Sequence, residues 1–504
     1  MKLYAAILFL FTFIYSDSSI HRCGLHLSNL SRNNTPPTCS SYTDSENGYF
    51  RVHYGNCNAD NSPGSNYFNS TVNATQIYVD AVAEAAEYSR SLLLAMGFNQ
   101  ETGDSDGIYD IYLTNFSDGY YGVNYPSSQG GSFIYIDNDY SNFSCGPCHI
   151  SPSSLDLMKI TVAHEYFHAV QRSYSPGNSN VFFWELSSTW FEDVAYPSIN
   201  DYLNWSYYTY LENPEDDFSS YIPQEGYSLA LFGHYLTQTY DETNNQDSNI
   251  MRLIWESFDG NNNESALQAI NYVLSNQYNS SFSESWSDFN VRNNFNGEFE
   301  DMNNNIYYYE DQKYIPSLSG FGNTQYFNNS GTVSSIITER GEVEIKPYQL
   351  TSVDYSFLNL NLSNEEHCGT NAGGIDAFNA FLGIKSNDNN WHRIYDLNSM
   401  FDNNQTISLS SGDYLYYALS SKDVNTNIDY CLNIPYDLNQ NDNFDLGDLN
   451  LDNVVNILDL TLLIDIILDK VDTSEFQFAL VDFNNDLSLN IIDVVTLINI
   501  ILNS

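Results

Sequence analysis

Two histidines four residues apart within an uninterrupted apolar segment constrain this chain more than any other feature. The letters HEYFH run from His164 to His168, and no Gly or Pro occurs between Leu155 and Arg172. This segment predicts a helix buried against a core, with both imidazoles on one face. Two histidines and a glutamate are costly to bury unless they share a partner, and together they can bind a metal ion. Glu165 is then expected beside that ion, where a carboxylate can take a proton from water.

A second helix, predicted at Phe182–Ala195 after a Pro-Gly break, supplies a candidate third ligand. Glu185 stands seventeen positions after His168. Three protein ligands and one open position are typical of a catalytic zinc site, whereas a structural site has four protein ligands. His164, His168 and Glu185 are therefore the expected ligands of one Zn2+ ion. The alternative is a core helix that carries two histidines by chance.

The two segments resemble the gluzincin metallopeptidases, in which HExxH is followed by a second helix that bears a ligand glutamate. The letters AHEYFHAVQ and WELSSTWFED, followed by Tyr196-Pro197, are also similar to a family of secreted bacterial metalloproteases. This resemblance spans residues 48–297. It implies a two-lobed zinc peptidase of the α+β class, a protein or peptide substrate, and Glu165 as the catalytic base.

The resemblance also suggests roles for residues outside the ligand set. Tyr227 resembles an aminopeptidase tyrosine that stabilises the oxyanion, and His234 could serve instead; the alternative for each is a core side chain. Glu192 and Asp193 are candidates for orienting a ligand histidine, as metal-bound imidazoles usually require, with a solvated helix end as the alternative. Phe133–Asp137 is the expected edge strand along which the substrate lies.

The segments around this site predict strands followed by helices, which fits the α+β class. Thr75–Met96 predicts a helix whose apolar stripe consists of Ile77, Ala81, Ala85, Tyr88, Leu92 and Met96. Strands are predicted at Tyr49–Tyr54, Ile108–Leu113 and Phe133–Asp137. Helices are predicted at Asn200–Leu211, Tyr227–Tyr240, Ile250–Phe258, Ser265–Asn276 and Phe282–Asn293.

The C-terminal segment contains an internal repeat, because the pattern that begins at Asp448 recurs 34 residues later at Asp482. Oxygen-bearing side chains occupy loop positions 1, 3, 5, 9 and 12, and position 7 offers a backbone carbonyl, as in a calcium loop. The predicted ligands are Asp448, Asn450, Asp452, Val454, Asn456 and Asp459 in the first loop, and Asp482, Asn484, Asp486, Ser488, Asn490 and Asp493 in the second. A helix is predicted after each loop.

This repeat resembles a type I dockerin across residues 437–504, a small all-α domain. The resemblance implies two bound Ca2+ ions and a cohesin-type partner. Ile457-Leu458 and Ile491-Ile492 stand where many type I dockerins present a small polar pair to cohesin. These apolar pairs indicate a different cohesin, another partner or no partner. The alternative for the repeat is an acidic turn beside an amphipathic helix.

The rest of the chain divides by composition. Residues 1–16 predict a secretory signal peptide, since an apolar run too short to span a bilayer follows Lys2, and the mature protein is expected to be secreted without a membrane span. Residues 17–47 predict an irregular Cys-containing segment, and residues 298–325 a linker. Regularly spaced β segments in residues 326–435 predict a β-sandwich, either an accessory binding domain or a spacer.

Charge and cysteine content restrict the class of partner and the cellular environment of this chain. The chain has 16 Lys+Arg against 64 Asp+Glu, which argues against a nucleic-acid partner because phosphate binding needs clustered cations. In an exported chain, most of the seven Cys should pair. Cys368 with Cys431 is the favoured pair, and Cys145 with Cys148 is expected to be a structural staple rather than a redox motif.

Three functions are compatible with these features. The favoured hypothesis is a secreted zinc metallopeptidase that carries a calcium-binding dockerin module. The first alternative is a non-catalytic, dockerin-bearing binding protein with a degenerate metal site. The second is a dockerin-bearing polysaccharide hydrolase, which would need two carboxylates on opposite sides of a sugar.

Overall fold

The computed structural model describes residues 35–503, apart from gaps at 58–70, 73, 103–105, 117–119, 129, 142–149, 175–180, 205–209, 213, 216, 219–220, 222, 242–248, 259–264, 298–305, 316–324, 328–329, 338–339, 351–354, 361–365, 368–376, 386–391, 400–405, 411–412, 426–429, 441–445, 451–453, 469, 472–476, 479, 485 and 487. The predicted signal peptide, the Cys145–Cys148 segment, Cys368 and the predicted calcium ligand Asp452 lie outside the described residues. Within them the chain is a mixed α+β protein with a small helical domain at its C-terminal end.

The N-terminal part contains a six-stranded mixed sheet. Its strands are β1 (Cys39–Asp44), β2 (Phe50–Cys57), β3 (Thr71–Val72), β4 (Tyr109–Thr114), β5 (Gly122–Pro126) and β6 (Ser132–Asp137). The order is β1-β2-β4-β6-β5, with β3 paired to β2. Alternate side chains of β4 and β6 separate into two clusters: Ile111, Leu113, Ile134 and Ile136 join the main core, whereas Tyr112, Phe133 and Tyr135 form an aromatic cluster on the opposite face.

The prediction that Phe133–Asp137 forms the sheet edge is wrong. β6 pairs with β4 on one side and with β5 on the other, so among the described strands β5, rather than β6, lies at this end of the sheet. β5 and β6 form an antiparallel hairpin, closed by the hydrogen bond from Ser127 N to Gly131 O (3.0 Å). β5 is short and ends in Pro126, which makes it hard to recognise from the sequence, although proline is well tolerated in an edge strand.

The segment 17–47 is not irregular where it is described. Cys39–Asp44 forms β1, which pairs antiparallel with β2, and the Cys39–Cys57 disulfide joins the two strands where their pairing begins. The predicted pairing of Cys368 with Cys431 stays a prediction: Cys431 is disulfide-bonded, while Cys368 lies outside the described residues.

The first helix, α1 (Gln76–Ala95), confirms the prediction for its bounds and only part of the prediction for its buried face. Thr75 caps it by accepting a hydrogen bond from Tyr78 N. Ile77 is 82% exposed and Tyr88 is 40% exposed, although both belong to the predicted stripe. Of the predicted stripe, Ala85 and Met96 are buried, and the helix also buries Val79, Val82, Ala83, Ala86, Ser89, Arg90 and Leu93. The buried alanines permit close packing against the neighbouring elements.

The two helices that carry the predicted metal ligands are α2 (Ser154–Gln171) and α3 (Val181–Ala195), which confirms both predicted helices. Ser153 and Asp156 form a capping box at the start of α2. From Leu157 onward nearly every α2 side chain is buried, because the helix contacts α1, α3, β5 and β6. Both helices are therefore fixed by packing along most of their length.

Further helices follow α3 and form what we call the helical lobe. They are α4 (Pro223–Gly226), α5 (Ala230–Tyr240), α6 (Ile250–Ser257), α7 (Ala266–Gln277) and α8 (Phe282–Arg292). The predicted helix Asn200–Leu211 is wrong, since the described part of that range holds only short 3-10 helices at Asp201–Asn204 and Tyr210–Glu212. Tyr227 lies in the turn between α4 and α5 rather than in a helix.

Residues 325–440 form a two-sheet domain. Its strands are β7 (Gln325–Phe327), β8 (Ser330–Ile337), β9 (Val343–Leu350), β10 (Tyr355–Leu360), β11 (Glu366–His367), β12 (Phe378–Lys385), β13 (Arg393–Asp396), β14 (Thr406–Ser410), β15 (Tyr414–Ser421) and β16 (Tyr430–Gln440). One sheet has the order β11-β16-β10-β14 with β8 on β16, and the other has the order β13-β12-β15-β9-β7. Side chains of both sheets share one core.

The two-sheet domain packs against the helical lobe and shares its core, rather than being connected to it only by a linker. Val343, Ile345, Phe381, Ala418 and Val424 belong to the same core as the helices. Ser287 Oγ on α8 donates to Asn379 O (3.0 Å). A Cβ at Gly383 would lie 2.9 Å from Phe295, which shows how closely β12 approaches the end of α8.

The predicted linker 298–325 is also part of this core where it is described. Ile306, Tyr308, Tyr309 and Ile315 are buried, and residues 310–314 form a 3-10 helix. The aromatic side chains among polar residues in this segment supply the apolar area that a linker would lack.

The C-terminal domain has its own core. It contains α9 (Ile457–Ile467) and α10 (Ile491–Asn503), which contact each other. Its buried apolar side chains form a cluster separate from those of the rest of the chain.

We expect truncation to show that the helical lobe depends on the two-sheet domain for stability but does not depend on the C-terminal domain. A chain that ends at residue 320 would leave the apolar face of α8 without β12 and β15, whereas a chain that ends at residue 440 loses only the C-terminal domain. Because each kcal/mol shifts the midpoint by about 2–4 °C in a domain of about this size, the first truncation should lower the melting temperature by more than about 10 °C. Calorimetry of both truncated chains checks this, and equal melting temperatures would contradict it.

Candidate metal centres

Three buried side chains from α2 and α3 converge at one point. His164, His168 and Glu185 each offer a ligand atom, and these atoms lie within 4.8 Å of one another. We call this set the histidine–glutamate cluster. Its members are 3%, 0% and 0% exposed, respectively. The two histidines lie one helical turn apart on α2, and the glutamate faces them from α3.

One of the two ligand-atom distances in the histidine–glutamate cluster matches the spacing in a zinc site, and the other is that of a hydrogen bond. Glu185 Oε2 lies 3.0 Å from His164 Nε2 and 3.5 Å from His168 Nε2. Zinc–ligand bonds of about 2.0–2.2 Å separate neighbouring ligand atoms in a tetrahedral site by about 3.3–3.6 Å. Among the described residues, Glu185 Oε1 has no hydrogen-bond partner although it is buried. A buried carboxylate oxygen without a partner is costly, and a cation at this point would remove that cost.

Burial and hydrogen bonding shift the pKa values of the histidine–glutamate cluster in opposite directions. Burial alone would lower the pKa of His164, but hydrogen bonds to Glu185 and Glu192 outweigh it and raise the pKa to about 10. Burial alone would raise the pKa of Glu185, but its contacts with His164 and His168 lower it to about 2. Burial lowers the pKa of His168. Glu185 therefore carries a negative charge that attracts a cation, whether a proton on His164 or a metal ion.

The remaining nitrogen of each ligand histidine has a partner of its own. His164 Nδ1 lies 2.6 Å from Glu192 Oε1, so the structure brings Glu192 to the position in which a carboxylate orients a ligand histidine. His168 Nδ1 lies 2.8 Å from Gln171 Oε1. Both contacts leave the Nε2 atoms directed toward Glu185. Gln171 was not among the predicted site residues, although its position three residues after His168 places it on the same face of α2.

Asp193 does not orient a ligand histidine, which corrects its predicted role. Its carboxylate accepts a hydrogen bond from the hydroxyl of Tyr309, in the segment predicted to be a linker. Neighbouring helix residues point about 100° apart, so Glu192 faces α2 whereas Asp193 faces residues 306–315. Burial raises the pKa of Asp193 well above its ordinary value, which favours the protonated acid.

The two candidate oxyanion donors lie in different places. Tyr227 is buried beside the histidine–glutamate cluster, with its ring centroid 6.1 Å from that of His164. His234 stacks on Tyr309 with centroids 4.1 Å apart and lies 3.7 Å from Asp193. Burial lowers the pKa of His234 to about 3. Among the described contacts of His234, none is with the histidine–glutamate cluster, so His234 is a core residue and Tyr227 is the better-placed donor.

A pocket opens beside the cluster on the side of Glu165. Its lining consists of Tyr121, Ile160, Thr161, His164, Glu165 and Glu192. The edge strand β5 forms the adjacent wall, because a Cβ at Gly122 would lie 2.8 Å from Glu165 Cγ. Asn124, two residues further along β5, donates from Nδ2 to Glu165 O (3.1 Å) and accepts from Arg172 Nε (2.8 Å). Glu165 is therefore held between the metal-binding face of α2 and β5.

The two repeat loops of the C-terminal domain each bury two carboxylates. Asp448, Asp459, Asp482 and Asp493 are at most 4% exposed. In the first loop, Asp459 accepts hydrogen bonds from the backbone N–H groups of Asn450 (3.0 Å) and Asn456 (2.8 Å). In the second loop, Asp493 accepts from Phe483 N (3.0 Å) and Asn490 N (2.9 Å). Paired buried carboxylates in short loops fit a divalent cation with a preference for oxygen ligands.

The ninth position of each loop has a second role. Asn456 Oδ1 accepts from Leu458 N, and Asn490 Oδ1 accepts from Ile492 N, both at 2.8 Å. Each asparagine therefore caps the helix that follows its loop. Asn484 and Asp486 are hydrogen-bonded to each other in the second loop, whereas Asp452 of the first loop lies outside the described residues.

Comparison with known proteins identifies this C-terminal domain. Residues 446–502 match the Dockerin type I domain family. The predicted calcium-binding dockerin is thereby confirmed, and a dockerin implies a cohesin partner. No curated protein matches the chain. Proteins with dockerins are typically extracellular or attached to the cell surface. Among the described residues, no helix is both long enough and apolar enough to cross a membrane.

The pKa shifts predict how the metal-free histidine–glutamate cluster responds to pH. The stability that His164 contributes is complete below pH 6.5, its ordinary pKa, and is lost as the pH rises toward about 10. The stability that Glu185 contributes is complete above pH 4.5 and is lost as the pH falls toward about 2. After chelation, the difference in the free energy of unfolding between wild type and Glu185→Gln should therefore be largest between pH 4.5 and 6.5.

Chemical denaturation at several pH values in the presence of a chelator checks this expectation. Glu87→Gln is a matched control, because that carboxylate accepts hydrogen bonds from Ser45 and Asn47 far from the cluster. A difference for Glu185→Gln that stays constant across the pH range would show that the three side chains do not interact.

Proposed function

We propose that this protein is an extracellular zinc-dependent metallopeptidase that attaches to a cohesin-type partner through its dockerin. The observation that supports the peptidase assignment is the convergence of His164, His168 and Glu185, with Glu165 beside them at a pocket. Three protein ligands leave a fourth position for water or substrate, as in catalytic rather than structural zinc sites. In this proposal the sheet and α2 form one lobe, the helical lobe forms the other, and the two-sheet domain is a β-sandwich packed against it.

The proposed chemistry divides between the ion and the chain. A zinc ion held by His164, His168 and Glu185 would supply a Lewis acid that polarises the substrate carbonyl and makes water more acidic. Glu165 takes a proton from the attacking water and transfers it to the nitrogen of the leaving amine. Burial of Glu165 between α2 and β5 keeps its carboxylate at the pocket. In this proposal Tyr227, whose ring lies 6.1 Å from that of His164, donates from its hydroxyl to the developing oxyanion.

In this proposal an extended peptide lies alongside the edge strand β5, in which Gly122–Tyr125 are buried. Among the described strands, β5 lies at the end of its sheet, and it passes directly beside Glu165 at Gly122. Main-chain hydrogen bonds to an edge strand bind a peptide largely without regard to its sequence. The absence of a side chain at Gly122 leaves room for Glu165 at this point, because a Cβ there would also lie 2.6 Å from Thr161 Cγ2.

The dockerin gives the proposed peptidase a means of attachment. Ile457 and Leu458 after the first loop are 61% and 60% exposed, and Ile491 and Ile492 after the second are 69% and 46% exposed. Exposed apolar pairs at matching positions favour a cohesin whose contact surface is also apolar.

Substitution of the proposed base should separate hydrolysis from metal binding. Glu165→Gln removes the proton acceptor but none of the three ligands, so kcat/KM for casein peptides should fall by at least about 100-fold while zinc stoichiometry stays at one per chain. Hydrolysis assays and metal analysis of the same samples check this. Glu87→Gln should behave as wild type.

Two outcomes would overturn parts of this proposal. An active Glu165→Gln variant would remove Glu165 as the base. Wild-type protein that binds zinc but releases no peptide would instead favour the non-catalytic, dockerin-bearing binding protein.

We expect each calcium loop to bind its ion independently, so that a substitution in one loop abolishes Ca2+ binding in that loop only. Asp459→Ala and Asp493→Ala each delete a carboxylate that closes one loop, so calorimetric titration should show one Ca2+ per chain instead of two. Asp465→Asn is the matched control, since that exposed carboxylate pairs with Lys470 outside either loop. Two bound ions in both alanine variants would contradict the assignment of these loops. Capture by a cohesin should follow the calcium stoichiometry and be lost on chelation.

A further inference from the structure

Gln171 connects the two helices that carry the histidine–glutamate cluster. It is the last residue of α2 and is fully buried. The two hydrogens of its side-chain NH2 group are shared among three acceptors on α3: Trp184 O (3.1 Å), Ser187 Oγ (3.0 Å) and Ser188 Oγ (2.9 Å). Its side-chain oxygen lies 2.8 Å from His168 Nδ1. One amide therefore spans from a ligand histidine to the residues on either side of Glu185.

These contacts assign the direction of each hydrogen bond. Trp184 O is a carbonyl oxygen and can only accept, so the NH2 group of Gln171 must face α3. The amide oxygen of Gln171 then faces His168, and an oxygen without a hydrogen can only accept from Nδ1. His168 consequently carries its proton on Nδ1, and its Nε2 presents a lone pair toward Glu185 Oε2 at 3.5 Å.

The two ligand histidines are therefore supported by groups of different charge. His164 Nδ1 is paired with the carboxylate of Glu192, whereas His168 Nδ1 is paired with a neutral amide. Glu192 reaches from α3 to His164 on α2, whereas Gln171 contacts His168 on its own helix and also donates to Trp184 O on α3, which a carboxylate cannot do because it has no hydrogen to donate. Gln171 thus links His168 directly to the residues on either side of Glu185.

We propose that Gln171 is a positioning residue that fixes the tautomer of His168 and the distance between α2 and α3 for metal binding. The inference rests on the zinc site proposed above and adds a residue to it. Loss of such a supporting group typically weakens metal affinity by about 10–100-fold.

The experiment is a zinc affinity measurement by chelator competition on the full chain. Gln171→Met keeps the length of the side chain but removes both hydrogen-bonding groups, so zinc affinity should fall at least about 10-fold. Gln171→Glu keeps an acceptor for His168 Nδ1 but loses the donor to α3, so its affinity should lie between those of wild type and Gln171→Met. Cobalt substitution adds a spectroscopic readout, since the visible spectrum of bound Co2+ reports the coordination geometry.

Gln312→Met is the matched control for deleting the hydrogen bonds of a buried glutamine. Gln312 is also fully buried and donates to Arg292 O (3.0 Å), away from the histidine–glutamate cluster. It should lower the melting temperature without changing zinc affinity or the cobalt spectrum. Equal zinc affinities for Gln171→Met and Gln312→Met would overturn the inference.

Two further results keep this test independent of folding and of the proposed activity. If Gln171→Met does not fold, Ser188→Ala supplies the comparison, because it removes one acceptor of the Gln171 amide and a contact to His168 Nδ1 (3.2 Å). A smaller loss of zinc affinity is then expected, and no loss would overturn the inference. Wild-type protein that binds zinc but hydrolyses nothing would remove the peptidase proposal and leave the role of Gln171 intact.

Discussion

A buried carboxylate between two imidazoles is the interaction on which the N-terminal half of this protein depends. Glu185 is a fully buried carboxylate, and His164 Nε2 and His168 Nε2 lie 3.0 Å and 3.5 Å from its Oε2. Such a charge tolerates little displacement of its partners, because the cost of an unpaired buried ion is several kcal/mol. The packing of α2 against α3 is therefore constrained by electrostatics as well as by apolar contact.

Each neighbouring element contributes one contact that preserves this arrangement. Glu192 on α3 holds His164, Gln171 on α2 holds His168, and Asn124 on β5 binds the backbone carbonyl of Glu165. These contacts come from three different elements, so the proposed site depends on the whole lobe rather than on one motif. Gly122 adds a steric requirement, since a larger residue on β5 would collide with Glu165.

The C-terminal half is attached in two different ways. The two-sheet domain shares the main core with the helical lobe and is integral to it, whereas the dockerin has a separate core and closes around its own buried carboxylates. A shared core keeps the proposed site rigid. A separate core allows the dockerin to fold with calcium independently of the rest of the chain.

The sequence alone determined the features that depend on local spacing. The four-residue interval of HExxH places both histidines on one face of any helix, and the repeated loop pattern of the dockerin places oxygen atoms around a cation within a dozen residues. Only the tertiary structure decided which strand is the sheet edge, which way Asp193 points, and that residues 306–315 bring Tyr309 into the core. These features depend on contacts between distant segments, whose free energy is a property of packing rather than of any one stretch of sequence.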